Sequence, residues 1–317
     1  MILCTGEAVI DMIQTHIAGL GEVFLPLPGG CAYNTSIAIG RLGVPAAFLG
    51  RLSTNFFGEM QITRLRQNNV KDNLLIRCEQ NPVLAFIKVE EDKEPEYAFY
   101  EEGTADRLLS PEELPAIPPD TTCIVFGSVS MAMEPIASTI ENLIIKEAEN
   151  KKVIAFDPNI RPIFIKDRDA YLKRFEKWVG VSTIVKISLE DFEYILPNPD
   201  PQQALEKLIS MGTRLAIITL GPQGAIAMLK RDNGSVISVS APAEKIPKVA
   251  DTVGAGDTFH GAFLSWLEMK DKMSHDAIAA LSENDLYNAL VFANKAATVV
   301  CTRHGAEPPT LGELPLT

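Results

Sequence analysis

The stretch that decides the fold spans residues 251–264 and reads DTVGAGDTFHGAFL. Three small residues, Gly254, Ala255 and Gly256, stand where the apolar run that follows them predicts the start of a helix. Small residues let a ligand approach the backbone closely, and the free amides of a helix N-terminus bind anions. A carboxylate at Asp257 would compete with that anion unless it accepts a proton from a hydroxyl that attacks a phosphoryl group held there. The alternative is that Asp257 only caps its helix.

Outward from this stretch, short apolar runs alternate with longer amphipathic stretches. The strand candidates are 2–5 into 9–10, 46–49, 123–126, 153–156, 183–185 and 215–220. The helix candidates are 34–42, 57–68, 134–150, 170–178 and 201–211. This alternation predicts an α/β protein with a doubly wound, mainly parallel sheet covered by helices.

Two segments depart from the alternation. Residues 84–90 and 96–100 are β-rich runs joined by the charged sequence EDKEP, which predicts a hairpin, and the Gly/Pro-punctuated stretch after Asp11 could supply further strands to it. We therefore expect an α/β core of residues 1–13, 27–83 and 109–317, which holds the substrate and nucleotide sites, and an inserted β lid of residues 14–26 and 84–108.

Aromatic residues alternate along the predicted hairpin. Such residues commonly pack against neighbouring strands or form a contact between two copies of a chain. A homodimer through the lid is therefore a further expectation.

Composition excludes several function classes. The 317 residues include 29 Lys and Arg against 41 Asp and Glu, a net charge of −12, which disfavours binding to nucleic acid or to an anionic membrane surface. The five cysteines are scattered singly, which indicates reduced thiols and not a disulfide or zinc framework. Glu7 and Asp11 interrupt the first apolar run, and no stretch is long enough to span a membrane. We expect a cytoplasmic protein.

Two further motifs place polar side chains beside backbone that a ligand can approach. Gly29 and Gly30 precede Asn34, whose amide offers one acceptor and two donors suited to a sugar hydroxyl; a helix cap is the alternative. Residues 156–162 read FDPNIRP directly after an apolar strand, at the strand end where ligands of α/β sheets bind. The alternative there is an Asx turn, which Asp-Pro-Asn forms readily.

These motifs resemble the signatures of the ribokinase-like, or PfkB, family of carbohydrate kinases. Residues 251–264 are similar to the C-terminal signature and GGCAYN at 29–34 to the N-terminal one, with Gly40, Gly50 and Gly58 at family-like spacings. The resemblance covers essentially the whole chain. It implies a ribokinase-like fold with a small β lid, and ATP and Mg²⁺ as cofactors.

The resemblance also implies roles for individual residues. The catalytic set is Asp257 as base, with Gly254, Ala255 and Gly256 as the anion hole. Substrate contacts are implied for Asp11, Gly30, Asn34, Arg161 and Asp257. Nucleotide contacts are implied for Lys186, Ser188, Glu190, Thr219, Gly221, Gly224, Gly256 and Asn294. Four of these assignments have alternatives. Asp11 also fits a solvated residue at a strand end. Many members have Asn where Ser188 stands, and Ser188 with Glu190 also fits a helix cap. Gly221 and Gly224 fit a hairpin turn, and the small-residue helix around Asn294 fits helix packing.

Two metal sites follow from the same resemblance. Glu190 is implied to hold Mg²⁺ through water. The residues Asp251, Val253, Val300, Arg303 and Gly305 match a monovalent-cation site of related kinases. Activation by potassium is therefore a hypothesis, although Pro309 replaces the usual Ser ligand.

The expected function is transfer of the γ-phosphoryl group of ATP to a hydroxyl of a ketose. DPNIRP is similar to the motif of fructokinases and 2-keto-3-deoxygluconate kinases, and residues 97–106 resemble the fructokinase lid, so conversion of D-fructose to D-fructose 6-phosphate is the first expectation. 2-Keto-3-deoxygluconate is the second, since Arg161 would suit its carboxylate. A non-catalytic sugar sensor on the same fold is the alternative of another class. A dinucleotide oxidoreductase is disfavoured because no GxGxxG follows the first strand.

Overall fold

The computed structural model describes residues 1–88 and 96–314. Its strands are β1 Ile2–Thr5, β2 Val9–Ile17, β3 Gly21–Gly29, β4 Ala46–Leu49, β5 Arg51–Ser53, β6 Val70–Lys71, β7 Ile76–Cys78, β8 Val83–Lys88, β9 Glu96–Tyr100, β10 Cys123–Gly127, β11 Val153–Asp157, β12 Ile184–Ser188, β13 Leu215–Thr219, β14 Ala225–Lys230 and β15 Val236–Ala241. Its α-helices are α1 Cys31–Arg41, α2 Phe56–Gln67, α3 Ile136–Glu149, α4 Arg168–Val181, α5 Leu189–Glu193, α6 Pro201–Met211, α7 Ala255–Met269, α8 His275–Ala279 and α9 Glu283–Val300.

A nine-stranded sheet in the order β15-β14-β13-β12-β11-β10-β1-β4-β6 forms the centre of the molecule. From β6 to β13 neighbouring strands run parallel, whereas β14 and β15 add an antiparallel edge. The mainly parallel, doubly wound α/β sheet predicted from the sequence is thus confirmed. Its parallel strands have their carboxyl ends at one edge, where ligands of such sheets bind.

Helices cover both faces of this sheet because successive residues of each strand point to opposite sides. In β1, for example, Ile2 and Cys4 pack in a cluster with α1, α2, α7 and α9, whereas Leu3 packs in a second cluster with α3, α4 and α6. Both sides of the strand are therefore apolar, which explains why the parallel strands read as unbroken apolar runs.

The predicted elements on the parallel sheet exist, with ends displaced by a few residues. Helix α1 begins three residues before the predicted start, because Gly30 adopts φ 114° and turns the chain into the helix directly after β3. Strand β12 continues through Lys186 to Ser188, although these polar residues ended the apolar run in the sequence. The antiparallel edge and the small pair β5 and β7 were not predicted.

A separate four-stranded sheet in the order β3-β2-β8-β9, here called the lid sheet, stands beside the main one. β2 pairs antiparallel with β3 and parallel with β8, and β8 pairs antiparallel with β9. Its strands extend to Val9 and Gly29, beyond residues 14–26, because the two strands keep their hydrogen-bonded register down to the core. The predicted EDKEP turn lies outside the described residues, and the division into core and lid stays a prediction.

No α-helix within residues 1–88 and 96–314 combines the length and the apolar character needed to cross a bilayer.

Candidate active site

Helix α7 begins at a turn that only small residues can form. Gly254 precedes it with φ 73°, and a Cβ there would lie 2.6 Å from the Cβ of Ala306. The amide of Ala255 donates to the carbonyl of Thr252 at 3.2 Å, whereas those of Gly254 and Gly256 donate to no acceptor in the described part of the chain. The first turn of α7 therefore offers unpaired amide donors, as helix N-termini do.

Asp257 lies in this first turn and meets Asn34 of α1. The Nδ2 of Asn34 donates to the Oδ2 of Asp257 at 2.9 Å, across 223 positions of sequence. The two helices approach closely at Gly261, which has no side chain; a Cβ there would lie only 2.9 Å from that of Ala38. Burial raises the pKa of Asp257 to about 6, with the Asn34 hydrogen bond opposing the shift and the charge of Asp157 adding to it.

A second carboxylate faces the same region from the lid sheet. Asp11 lies on β2, and a Cβ at Gly29 would come 2.4 Å from its Oδ2, so the glycine leaves room for the carboxylate. Burial, followed by the charge of Asp257, raises the pKa of Asp11 to about 6. Gly30 has no room for a side chain either, since its Cβ would lie 2.6 Å from the carbonyl oxygen of Glu7.

Asp257 belongs to a buried group of polar side chains, here called the Asp157 cluster. Its members are Cys31, Asp157, Lys186, Asp257 and His260. The Nζ of Lys186 donates to the Oδ2 of Asp157 at 2.9 Å, and the two side chains are only 3% and 1% exposed. The charge of Asp157 raises the pKa of Lys186, although burial alone would lower it. A Cβ at Gly256 would lie 3.0 Å from the same Nζ, so a fixed positive charge stands against the first turn of α7.

Arg161, Ser188 and Glu190 were predicted to face the substrate and the phosphates. The Nη1 of Arg161 donates to the carbonyl of Ile160 at 2.9 Å and lies 3.8 Å from the Oδ1 of Asp191, with the side chain half-exposed. The Oγ of Ser188 accepts from the amide of Asp191 at 3.0 Å, so Ser188 caps α5. Glu190 is exposed in the first turn of that helix.

The remaining predicted nucleotide residues lie around the β13–β14 connection and α9. Gly221 and Gly224 form the turn between these antiparallel strands with φ 55° and 100°. Thr219 ends β13 just before it. The Nδ2 of Asn294 donates to the carbonyl of Ala241 at 2.9 Å and thereby fixes the end of β15 against α9.

The residues of the predicted monovalent-cation site come together through Asp251. Its Oδ1 accepts from the amide of Val253 at 3.0 Å, and its Oδ2 accepts from the amide of Gly305 at 2.9 Å. The carbonyl of Val300, at the end of α9, accepts from the amide of Arg303 at 3.0 Å. Asp251 thus joins the loop before α7 to the loop after α9.

The amino-acid sequence of the chain matches a known protein family over almost its whole length. The model of the pfkB family carbohydrate kinase matches residues 1–311. The chain belongs to this family. It is therefore a carbohydrate kinase, a phosphotransferase, and the resemblance seen in its two signatures is confirmed.

Relatives of this pfkB kinase include named fructokinases. A fructokinase of Rhizobium leguminosarum bv. trifolii is 37% identical over 289 residues, which cover 91% of this chain and 86% of that protein. The crystal structure of fructokinase with bound ATP from Xylella fastidiosa superposes with a TM-score of 0.88 at 24% identity and covers 99% of this chain and 96% of that one. Fructokinase from Vibrio cholerae O395 in its fructose, ADP and calcium ion bound form has a TM-score of 0.79 at 25% identity, with 96% and 94% coverage. These structures confirm the ribokinase-like fold of the pfkB kinase described here.

Three members of the Asp157 cluster were not predicted as site residues. Cys31 lies inside the GGCAYN motif and Asp157 inside FDPNIRP, so both motifs carried the signal without showing what these residues contact. His260 stands one helical turn after Asp257 in an apolar run, where nothing in the local pattern distinguishes it from a core residue. Lys186 was predicted to contact the nucleotide, and the structure places it in an ion pair with Asp157.

Proposed function

We propose that this pfkB-family kinase is a fructokinase that transfers the γ-phosphoryl group of ATP to the 6-hydroxyl of D-fructose. The observation that carries the proposal is the contact between Asn34 and Asp257, which brings a sugar-binding type of side chain and a buried carboxylate to the N-terminus of α7. The identity of 37% to a fructokinase supports the choice of sugar.

Asp257 would act as the general base. Its pKa of about 6 leaves the carboxylate ionised at neutral pH, yet basic enough to accept the proton of an attacking hydroxyl. The Oδ1 of Asn34 is buried and has no hydrogen-bond partner within residues 1–88 and 96–314, so a sugar hydroxyl would satisfy it. Asp11 would accept from a second hydroxyl, with Gly30 leaving room for the sugar.

The first turn of α7 would stabilise the transferring phosphoryl group. The unpaired amides of Gly254 and Gly256 suit the charge on its oxygens, whereas the amide of Ala255 would have to share its contact with Thr252. The ammonium group of Lys186, close to Gly256, adds positive charge at the same turn. We propose that Ser188, Thr219, Gly221, Gly224 and Asn294 line the nucleotide.

The donor groups present fit the two expected metals. The side chain of Glu190 is exposed at the start of α5, so its oxygens are available to Mg²⁺, directly or through water. The chemistry that Mg²⁺ supplies when bound is neutralisation of phosphate charge. The loops joined by Asp251 offer carbonyl oxygens for a monovalent cation, and a double mutant of the Vibrio cholerae relative has been solved in a fructose, ADP and potassium ion bound form.

We propose that the kinase forms a homodimer through the lid sheet and acts in the cytoplasm. Phe24 and Tyr100 lie on one face of the lid sheet, where the ring of Phe86 packs edge-on against both, and they are 41% and 64% exposed. A row of exposed aromatic side chains on one face suits a contact with a second copy. The cysteines are all free thiols, which suits a reducing compartment. In analytical ultracentrifugation the wild type should sediment as a dimer, and Tyr100→Lys should dissociate at a higher protein concentration than the wild type. A wild type that sediments as a monomer would rule the contact out.

The substrate is tested by release of ADP from MgATP over fructose, ribose, 2-keto-3-deoxygluconate, adenosine and tagatose. We expect the highest kcat/KM with fructose. Preference for 2-keto-3-deoxygluconate would instead assign the half-exposed Arg161 to the carboxylate of that substrate, and Arg161→Gln should then abolish the preference. Lack of activity on every one of these compounds would overturn the proposal.

A further inference from the structure

Three metal-binding groups in the Asp157 cluster lie close together although they come from distant parts of the chain. One ligand atom each of Cys31, Asp157 and Asp257 lies within 4.8 Å of the others. The Sγ of Cys31 is 3.9 Å from the Oδ2 of Asp157. The three residues stand at the start of α1, the end of β11 and the start of α7, so the fold itself holds them together.

Unsatisfied polar atoms point into the same cluster. His260 is fully buried, its Nδ1 lies 3.8 Å from the Oδ2 of Asp157, and neither of its ring nitrogens has a hydrogen-bond partner among the described residues. The Oδ1 of Asp157 is also buried and lacks a partner in the described chain. Buried polar atoms without partners are rare and call for a ligand or a chemical role.

We propose that this cluster is an inhibitory site for a thiophilic divalent cation such as Zn²⁺, held by the thiolate of Cys31 and the carboxylates of Asp157 and Asp257, with water completing the coordination. A thiolate among the ligands is typical of zinc, whereas Mg²⁺ prefers oxygen alone. Zinc bond lengths place tetrahedral sulfur and oxygen donors roughly 3.5–3.7 Å apart. The Sγ of Cys31 and the Oδ2 of Asp157, at 3.9 Å, are close to that spacing.

The charges of the cluster favour the metal. When the metal–sulfur bond forms, the proton of the Cys31 thiol leaves to water, so no oxidant or reductant is needed. The thiolate and two carboxylates then balance the two charges of the cation and the one of Lys186. The Oδ2 of Asp157, which lies 3.9 Å from the Sγ of Cys31, also accepts from Lys186, and its second lone pair is left for the metal. A neutral buried cluster is more stable than one with an excess charge.

The site would inhibit because it occupies the carboxylate of Asp257. Access is from the sugar side, where Cys31 and Asp257 retain 8% and 6% of their surface. We therefore expect zinc to compete with the sugar and not with the nucleotide. Metal binding requires only the Asp157 cluster and does not depend on which sugar the kinase phosphorylates. The expected inhibition rests on the proposed role of Asp257 as base.

The test uses Cd²⁺ as a spectroscopic probe with the purified, chelator-treated full-length protein. We expect one Cd²⁺ per chain with a thiolate-to-metal charge-transfer absorbance, which is lost in Cys31→Ala and retained in Cys301→Ala. Cys301 is the matched control because it is the more exposed thiol. A midpoint of urea unfolding equal to that of the wild type would show that Cys31→Ala is folded. If Cys31→Ala does not fold, Cys31→Ser takes its place, since a serine hydroxyl cannot give the thiolate absorbance.

Inhibition by Zn²⁺ provides the second measurement, with each variant compared with its own zinc-free rate. The zinc concentration for half-inhibition should rise at least about tenfold in Cys31→Ala and stay unchanged in Cys301→Ala. Added zinc should raise the apparent KM for the sugar, and EDTA should reverse the effect. Cadmium absorbance that survives in Cys31→Ala, or that disappears in Cys301→Ala, would overturn the proposal.

Discussion

At the carboxyl edge of the main sheet charged side chains are buried against one another, whereas on the lid sheet large apolar side chains stand in solvent. Lys186 and Asp157 are almost fully buried as a pair, and Leu20 and Tyr100 are mostly exposed. A buried charge depends on its partner, because removal of one leaves the other uncompensated. An exposed aromatic side chain has few contacts to lose. Substitutions should therefore have large effects in the Asp157 cluster and small ones in the lid sheet.

The largest effect is expected for Asp257→Asn, which removes the base and keeps the shape of the side chain. The kcat for sugar phosphorylation should fall by about 10²–10⁴-fold, while the KM for the sugar changes little. Steady-state kinetics measure both. Asp276→Asn, an exposed position in the first turn of α8, is the control and should match the wild type. Turnover close to normal in Asp257→Asn would show that another group takes the proton.

The next effect is on stability, in Lys186→Met. Loss of the buried partner of Asp157 should lower the free energy of unfolding by about 3–5 kcal/mol, measured by urea denaturation. The control is Lys177→Met, which breaks an ion pair of a half-exposed lysine with Glu141 and should cost about 1 kcal/mol or less. Combining Lys186→Met with Asp157→Asn should restore part of the loss, because no unpaired charge then remains. Equal losses in the two lysine variants would contradict the contrast.

A smaller effect is expected where the lid sheet touches the core. The ring of Phe99 on β9 packs edge-on against Phe164, with centroids 4.9 Å apart. Phe99→Ala should raise the KM for the sugar by about two- to tenfold, since such a ring pair contributes about 0.5–1.5 kcal/mol. Tyr100→Ala is the control and should leave the KM unchanged, since Tyr100 points to the opposite face of the same strand and is 64% exposed. If Phe99→Ala lowered the free energy of unfolding as much as Lys186→Met does, the lid sheet would have to be counted as part of the core.

The smallest effect concerns pH. Because Asp257 must be ionised to act as base, kcat/KM should fall as the pH decreases through about 6. The Asn34 hydrogen bond lowers the pKa of Asp257, so Asn34→Ala should move this acid limb upward by up to about one unit. Asp11 has a similar pKa, and Asp11→Asn therefore serves as the control. An acid limb that disappears in Asp11→Asn would assign the ionisation to Asp11.

Much of the fold follows from local patterns. Helix α6 and strand β9 begin and end where the sequence predicts, because Pro201 and Gly212 mark the helix and the alternating residues of β9 form an exposed strand. The antiparallel strands β14 and β15 were missed. β15 alternates between exposed and half-buried residues, a pattern weaker than that of the buried strands, and its place is decided by pairing with β14 and by Asn294 of α9.

The candidate site divides in the same way. By itself the sequence determined the helix start at Gly254 to Asp257 and the glycine pair before Asn34, because a turn that admits only small residues is a local property of the backbone. Only the tertiary structure decided that Asn34 meets Asp257 and that Cys31, Asp157, Lys186 and His260 share one buried cluster. These contacts join strands and helices far apart in sequence, and the energy of a buried charge depends on which partner the fold brings beside it.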